Sequence, residues 1–348
     1  MIELDGSVKS GSGTLLRHGV SLATLLAENL HMWNIRAGRE KPGLRHQHRQ
    51  AVLSCRDMSQ GEVEGVEIGA TEIEYRPGRG IAGGYYSWNI GTGGSTTMLA
   101  MTVLPLACFA GEPTTFRISG GLFQDFAPSA YHMKHVLFPT LRKMGICVGL
   151  EIERPGYAEQ GDGVIKVSVE PVAGKLEPIR LLVRGEMEQV QGVALSSHLR
   201  KLRVSDRMAK ECDRALRQQG YDARIESLYD STARHEGAAL AIWAKAGGCL
   251  LGSDRAGRKG RRAEGIGSYV ANNLVEDISS GATVDRFLAD QLIVYAALAE
   301  GITEYVIPQV TDHIEANLWL VEHVLGRFGA KTEIIGNRLK IWGVGYGR

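Results

Sequence analysis

The sequence predicts an α/β (α+β) fold built from a repeated unit, and three observations predict it. A helix-like segment that stops at a glycine and passes into a strand occurs three times. A second helix type, apolar on nearly every face and preceded by a turn of small residues, also occurs three times. Glycine is abundant, at 44 of 348 residues, which suits many short strand–turn–helix units. With 44% hydrophobic and 23% charged residues, the chain has ample apolar surface for one large domain or two ordinary ones.

The elements run in order as follows. Ile2-Glu3-Leu4 reads as a strand, and residues 11–29 form the first apolar helix. Residues 42–58 form the first glycine-stopped helix, ending near Gly61, with Val63-Glu64-Gly65-Val66-Glu67-Ile68 as its strand. The second round has an apolar helix over 93–110, a helix over 128–144 stopped at Gly145, and a strand over 146–152. Between 182 and 279 the pattern breaks and charge rises. Residues 205–219 form an amphipathic helix there, and 238–244 and Cys249-Leu250-Leu251 read as strands. This stretch is taken as a smaller inserted domain, leaving 1–181 and 280–348 as the large one. The third round has an apolar helix over 281–301, a helix over 311–328 stopped at Gly329, and the strand Thr332-Glu333-Ile334-Ile335. Helices apolar all round belong between a sheet and its neighbours.

Composition narrows the function classes. A net charge of +1 argues against a bulk polyanion binder, so any nucleic-acid contact must come from local basic patches. The five cysteines are scattered, with no CxxC pair, which argues against a zinc site or a disulfide framework and fits a reducing cytoplasm. The start of the chain does not read as a signal peptide. The longest apolar stretch, 98–110, is too short to span a bilayer and contains Pro105, so no membrane partner is expected.

Three segments carry candidate chemistry. His313 lies in Thr311-Asp312-His313-Ile314-Glu315, at the start of an apolar helix. An imidazole there, with one nitrogen free, is a nucleophile toward a phosphoryl group; a surface or structural histidine is the alternative. Arg36, Arg39 and Arg45 flank the Pro42-Gly43 turn ahead of a helix. Guanidinium groups and a helix N-terminus both bind phosphate, though a solvated basic loop has the same composition. Arg17 follows Leu15-Leu16 in the first apolar helix, where a charge must be paired, bound to an anion, or snorkel outward. Arg255, Arg258, Lys259, Arg261 and Arg262 concentrate five cations in residues 255–262, a candidate RNA-backbone contact or a solvated loop.

Three runs together resemble the RNA 3'-terminal phosphate cyclase family, over residues 2 to about 345. They are Ile2-Glu3-Leu4-Asp5-Gly6-Ser7 with Leu15-Leu16-Arg17, then Ile35-Arg36-Ala37-Gly38-Arg39 through Gln47-His48, and the run around His313. The resemblance implies three two-helix/four-strand repeats, similar to the C-terminal domain of translation initiation factor 3, plus an insert of thioredoxin-like topology. It implies that Arg17, Arg36, Arg39, Arg45, Gln47 and His48 line a site for ATP phosphates and an RNA 3'-phosphate. Pro128, Phe287, Asp290 and Gln291 match positions on the adenylate side, with Phe287 where Tyr is usual; plain core packing is the alternative for Phe287. His313 matches the catalytic histidine. The implied reaction passes AMP from ATP through His313 to the RNA 3'-phosphate, after which the 2'-hydroxyl closes a 2',3'-cyclic phosphate. A divalent metal, Mg or Mn, is expected on the pyrophosphate, and a homodimer is plausible by resemblance.

The chain departs from the family pattern at several polar positions. Ser10 stands where an acidic residue is usual and Thr14 where Gln is usual. Lys9 stands beside them and is read as a cation that partly replaces a metal charge. Met101 replaces a Gln, Tyr131 an acidic residue, and Glu159 and Asp162 a Pro and a Gly. These changes favour a second reading, a non-catalytic cyclase-like factor that binds RNA or protein. Retention of His313 favours the enzyme. A third reading, an enolpyruvyl-transferase-like enzyme of repeated α/β units, is opposed by the arginine signature.

Overall fold

The computed structural model describes residues 1–9, 11–158 and 160–347. It has the predicted α/β class. The first unit runs β1 (Ile2–Asp5), α1 (Gly13–Leu26), β2 (Leu30–Trp33), α2 (His46–Ser59), β3 (Glu62–Glu64) and β4 (Ile73–Arg76). Its sheet has the order β1-β2-β4-β3, with β1 and β2 parallel and the other neighbours antiparallel.

The second unit repeats this plan with β5 (Gly84–Asn89), α3 (Thr96–Cys108) and β6 (Thr114–Gly120). A helical segment follows, α4 (Ala130–His132), a π turn (Met133–Leu137) and α5 (Phe138–Arg142), before β7 (Val148–Arg154) and β8 (Gly163–Val169). Its sheet order is β5-β6-β8-β7, again with only the first pair parallel.

The third unit opens with the short β9 (Arg180–Leu181). A fourth sheet then intervenes, formed by β10 (Val190–Ser197), β11 (Ala223–Asp230), β12 (Gly237–Ala246) and β13 (Cys249–Ala256) in the order β11-β10-β12-β13. Helices α6 (Val204–Gln218) and α7 (Ala263–Ser279) pack on each other and on this sheet. The third unit resumes with α8 (Leu288–Leu298), β14 (Glu300–Val306), α9 (Asp312–Leu325), β15 (Lys331–Ile335) and β16 (Arg338–Val344). Its sheet closes as β15-β16-β14-β9, with β9 parallel to β14.

The apolar helices lie inside, as their composition requires. In α3 every residue but Met98 is buried, and in α8 every residue but Asp290. Helix α1 packs on α2, α3 and α9, and α8 on α9, so the units meet through their helices and share one core. Truncating a fully buried residue there, such as Leu16, would cost about 2–5 kcal/mol.

The glycine stops hold with one exception. Gly145 and Gly329 sit at φ +87° and +100°, in the left-handed region that a side chain disfavours. In the first unit Gln60, not Gly61, takes that conformation, at φ 53°, and the strand after it is shorter than the alternation suggests.

Candidate active site

Helix α9 begins at a Thr311 cap whose side chain accepts the Ile314 N–H at 3.3 Å. This fixes the first turn and leaves His313 an exposed residue of the chain. The pKa of that ring is lowered, first by desolvation and then by the charges of Arg17 and Arg39. The imidazole is therefore neutral at pH 7, the form a nucleophile needs.

Arg17 is buried in α1, and Nη1 reaches the Met98 carbonyl at a marginal 3.5 Å. Burial drives its pKa down to about 10, opposed by the charge of Asp290 at the start of α8. Burial raises Asp290 in turn to about 7, opposed chiefly by Arg17. Arg17 also bears on His18 and His48, both held near 3, chiefly by burial. One guanidinium thus acts on α1, α2, α8 and α9 together.

The arginine loop contains side chains of two kinds. Arg36, at φ 56°, turns its Nη1 into the loop and donates to the Lys41 and Gly43 carbonyls, both at 2.8 Å, so it braces the Pro42-Gly43 turn. Arg39 and Arg45 are exposed. All three, with Arg17, bear on His48. His48 is buried against Gly13, where an added Cβ would fall 2.2 Å from Nε2. Gln47 Oε1 accepts the Ser95 N–H at 2.9 Å, tying α2 to the cap of α3. His313, Arg17, Arg39, Arg45, Arg36 and His48 therefore lie in one electrostatic neighbourhood.

The adenylate-side candidates are held at a second junction. Pro128 offers its carbonyl to Thr97 Oγ1 at 2.8 Å. Phe287 stands edge-on to His132, with centroids 5.6 Å apart. Gln291 is buried with Oε1 unpartnered. Phe287 also lines a cavity of about 240 Å³ with Phe126, Asp254, Arg255, Arg258 and Tyr269, so of the adenylate candidates it is Phe287 that shares a space with the cationic loop. The loop is not uniformly free. Arg261 forks onto both oxygens of Asp125 at 2.6 and 2.7 Å, and Arg255 lies over the Tyr269 ring at 3.5 Å. Arg258 and Lys259 are exposed, and Arg262 is exposed 3.8 Å from Glu264.

The departures from the family pattern have structural counterparts. Ser10 and Glu159 lie outside the described residues. Lys9 pairs with Glu315 of α9 at 3.6 Å, an exposed contact that gives the cation a carboxylate partner. Thr14 Oγ1 donates to Asn317 Oδ1 at 3.1 Å. Met101 is buried in α3, and the Tyr131 hydroxyl is pushed up to about 12 by burial. Asp162 pairs with Arg234 and His235, at 3.3 and 3.4 Å.

Around His313 the charged neighbours are mainly cationic, and among the described residues no group of three His, Cys, Asp or Glu is placed to hold a metal ion. Among the described residues no helix is long and apolar enough to cross a membrane. Sequence reasoning did not single out Asn317, Ser95, His132, Asp254 or Asp285. Each joins segments far apart in the chain, and only the spacing of Asn317, one turn beyond His313, offered a signal.

The chain matches known proteins over nearly its whole length. The model of a family described as RNA 3'-terminal phosphate cyclase covers residues 8–329. A protein of that name from Archaeoglobus fulgidus is 35% identical over 346 residues, spanning 98% of this chain and all of its own. Those from Thermococcus kodakarensis and Methanopyrus kandleri are each 34% identical, with 93% of both chains covered. The chain therefore belongs to the RNA 3'-terminal phosphate cyclase family.

Proposed function

We propose that the protein converts an RNA 3'-phosphate end to a 2',3'-cyclic phosphate, using ATP and a covalent histidine–AMP intermediate. The observation that carries this reading is His313, exposed at the first turn of α9 and kept neutral by desolvation, Arg17 and Arg39. A free imidazole nitrogen attacks the α-phosphorus of ATP, the bond to pyrophosphate breaks, and a phosphoramidate forms. An oxygen of the RNA 3'-phosphate then attacks the same phosphorus. His313 leaves, and AMP is joined to the RNA end as a diphosphate. The neighbouring 2'-hydroxyl attacks the RNA phosphorus, AMP departs, and the cyclic phosphate remains. Arg39, whose charge reaches the histidine, and Arg45, exposed on the same loop near His48, are suited to binding phosphoryl oxygens, and Arg17 supplies fixed positive potential from within.

The test is covalent labelling. The protein is incubated with α-labelled ATP and Mg²⁺ or Mn²⁺, then denatured and examined for an acid-labile label. Label lost in His313→Ala supports the intermediate. Absence of both label and ATP binding would favour the second reading, a non-catalytic RNA- or protein-binding factor. The replacement of the usual Gln by Thr14, internally bonded to Asn317, is the observation on that side.

A further inference from the structure

Asp285 is wholly buried, and its carboxylate collects donors from three parts of the fold. Its oxygens lie 3.0 and 3.1 Å from His132 Nε2 in α4. They also accept the Gly252 N–H from β13 at 2.8 Å, and the Phe287 and Leu288 N–H groups entering α8 at 2.8 and 2.9 Å. A second buried carboxylate, Asp254 of β13, accepts the Ser129 N–H, the cap of α4, at 2.7 Å. With Thr97 holding the Pro128 carbonyl, the segment 128–132 is fixed at three points, and Phe287 rests edge-on against the imidazole so fixed.

A buried ion pair is a poor source of stability, because desolvating both groups offsets most of their attraction, and apolar residues would fill the same space. Its distinctive product is geometry. The chain places this pair between Pro128 and Phe287, where the second unit, the fourth sheet and α8 converge. We infer that His132 and Asp285 are positioning residues for nucleotide binding, locking the entry of α8, with Phe287, Asp290 and Gln291, against Pro128 and β13. This rests on the nucleotide reading given above.

His132→Ala leaves Asp285 without its charged partner and Phe287 without its backing. His132→Gln restores a donor to the carboxylate. Each variant is compared with wild type in the full-length protein by melting temperature, by equilibrium binding of ATP, and by binding of an RNA oligonucleotide carrying a 3'-phosphate. The expected result for His132→Ala is ATP affinity lower by about tenfold or more, RNA affinity nearly unchanged, and substantial recovery in His132→Gln. If His132→Ala melts lower but binds ATP as wild type does, the pair is only structural and the inference fails. It fails also if ATP and RNA binding fall together, or if His132→Gln melts like wild type yet binds ATP no better than His132→Ala. Wild type that binds no ATP would overturn the nucleotide reading and this inference with it, an outcome distinct from the other three.

Discussion

Thr14 Oγ1 donates a hydrogen bond to Asn317 Oδ1 at 3.1 Å, joining the first turn of α1 to α9 one helical turn beyond His313. The same Asn317 amide donates to the Asp290 carbonyl at 3.2 Å, so one buried side chain bridges α1, α8 and α9. Asn317→Ala would take the acceptor from the buried Thr14 hydroxyl and strip the Asp290 carbonyl of its link to α9, leaving it only the bonding of its own helix. We expect a loss of about 1–3 kcal/mol in urea unfolding, because a buried polar group without a partner bears its full desolvation penalty. Labelling of His313 should slow in the same variant. Wild-type stability together with wild-type labelling would show that the bridge positions nothing.

The pH profile of labelling follows from the lowered pKa of His313. Protonated imidazole has no lone pair to offer, so the rate should be level around neutrality. It should fall only as pH drops through a value below the ordinary 6.5. Arg39 is one of the charges that lower it. Arg39→Gln should move the fall to higher pH, whatever it does to the maximal rate. A normalised profile identical to wild type would show that the Arg39 charge does not reach the ring.

Asp290 makes a prediction of the opposite sign. Its folded pKa, about 7, lies above its ordinary 3.8, so the folded state holds a proton that the unfolded state releases. Its contribution to stability is therefore full at acid pH and is lost as pH rises from about 4 to 7. The stability difference between wild type and Asp290→Asn, from urea unfolding at several pH values, should decline across that window. A difference independent of pH would mean that the carboxyl does not titrate there.

Gly13 faces a steric limit set by His48. A methyl group at that position would fall 2.2 Å from Nε2 of a buried ring. Gly13→Ala must displace the imidazole or the helix start, at a cost of about 1–3 kcal/mol. The double variant Gly13→Ala/His48→Ala should recover part of that loss in thermal melts. Additive losses would show that the two residues do not compete for the same space.

The fold was legible where the signal is local. Apolar helices such as α3 and α8 announce themselves by composition, and Gly145 and Gly329 mark helix ends because the left-handed conformation there excludes most side chains. Helix α7 was missed. It lies in the charged stretch and buries only part of its surface, in residues such as Ile266, Val270 and Leu274, so no continuous apolar run marks it. The site was legible as separate segments, but their joining was not. His132 and Asp285 are 153 residues apart, and nothing in either segment alone points to the other. The bracing role of Arg36 was likewise hidden, because its sequence context suits a phosphate ligand and a turn brace equally well.

The cationic loop should divide under mutation along the lines its contacts draw. Arg261 grips Asp125 with two hydrogen bonds and is largely covered, whereas Arg258 and Lys259 are exposed. Arg261→Ala removes the principal partner of a partly buried carboxylate and should lower stability by about 1–3 kcal/mol in thermal or urea unfolding. Arg258→Ala and Lys259→Ala should leave stability within about 0.5 kcal/mol of wild type. If these side chains hold the RNA backbone, each of the two should weaken RNA binding across sequences and lower the slope of log affinity against log salt by about 0.7, the value for one phosphate on a single strand. Filter binding of a 3'-phosphorylated oligonucleotide at several salt concentrations measures this slope. A slope unchanged in the Arg258→Ala/Lys259→Ala double variant would remove the loop from the RNA path and leave it as a solvated surface anchored by Arg261.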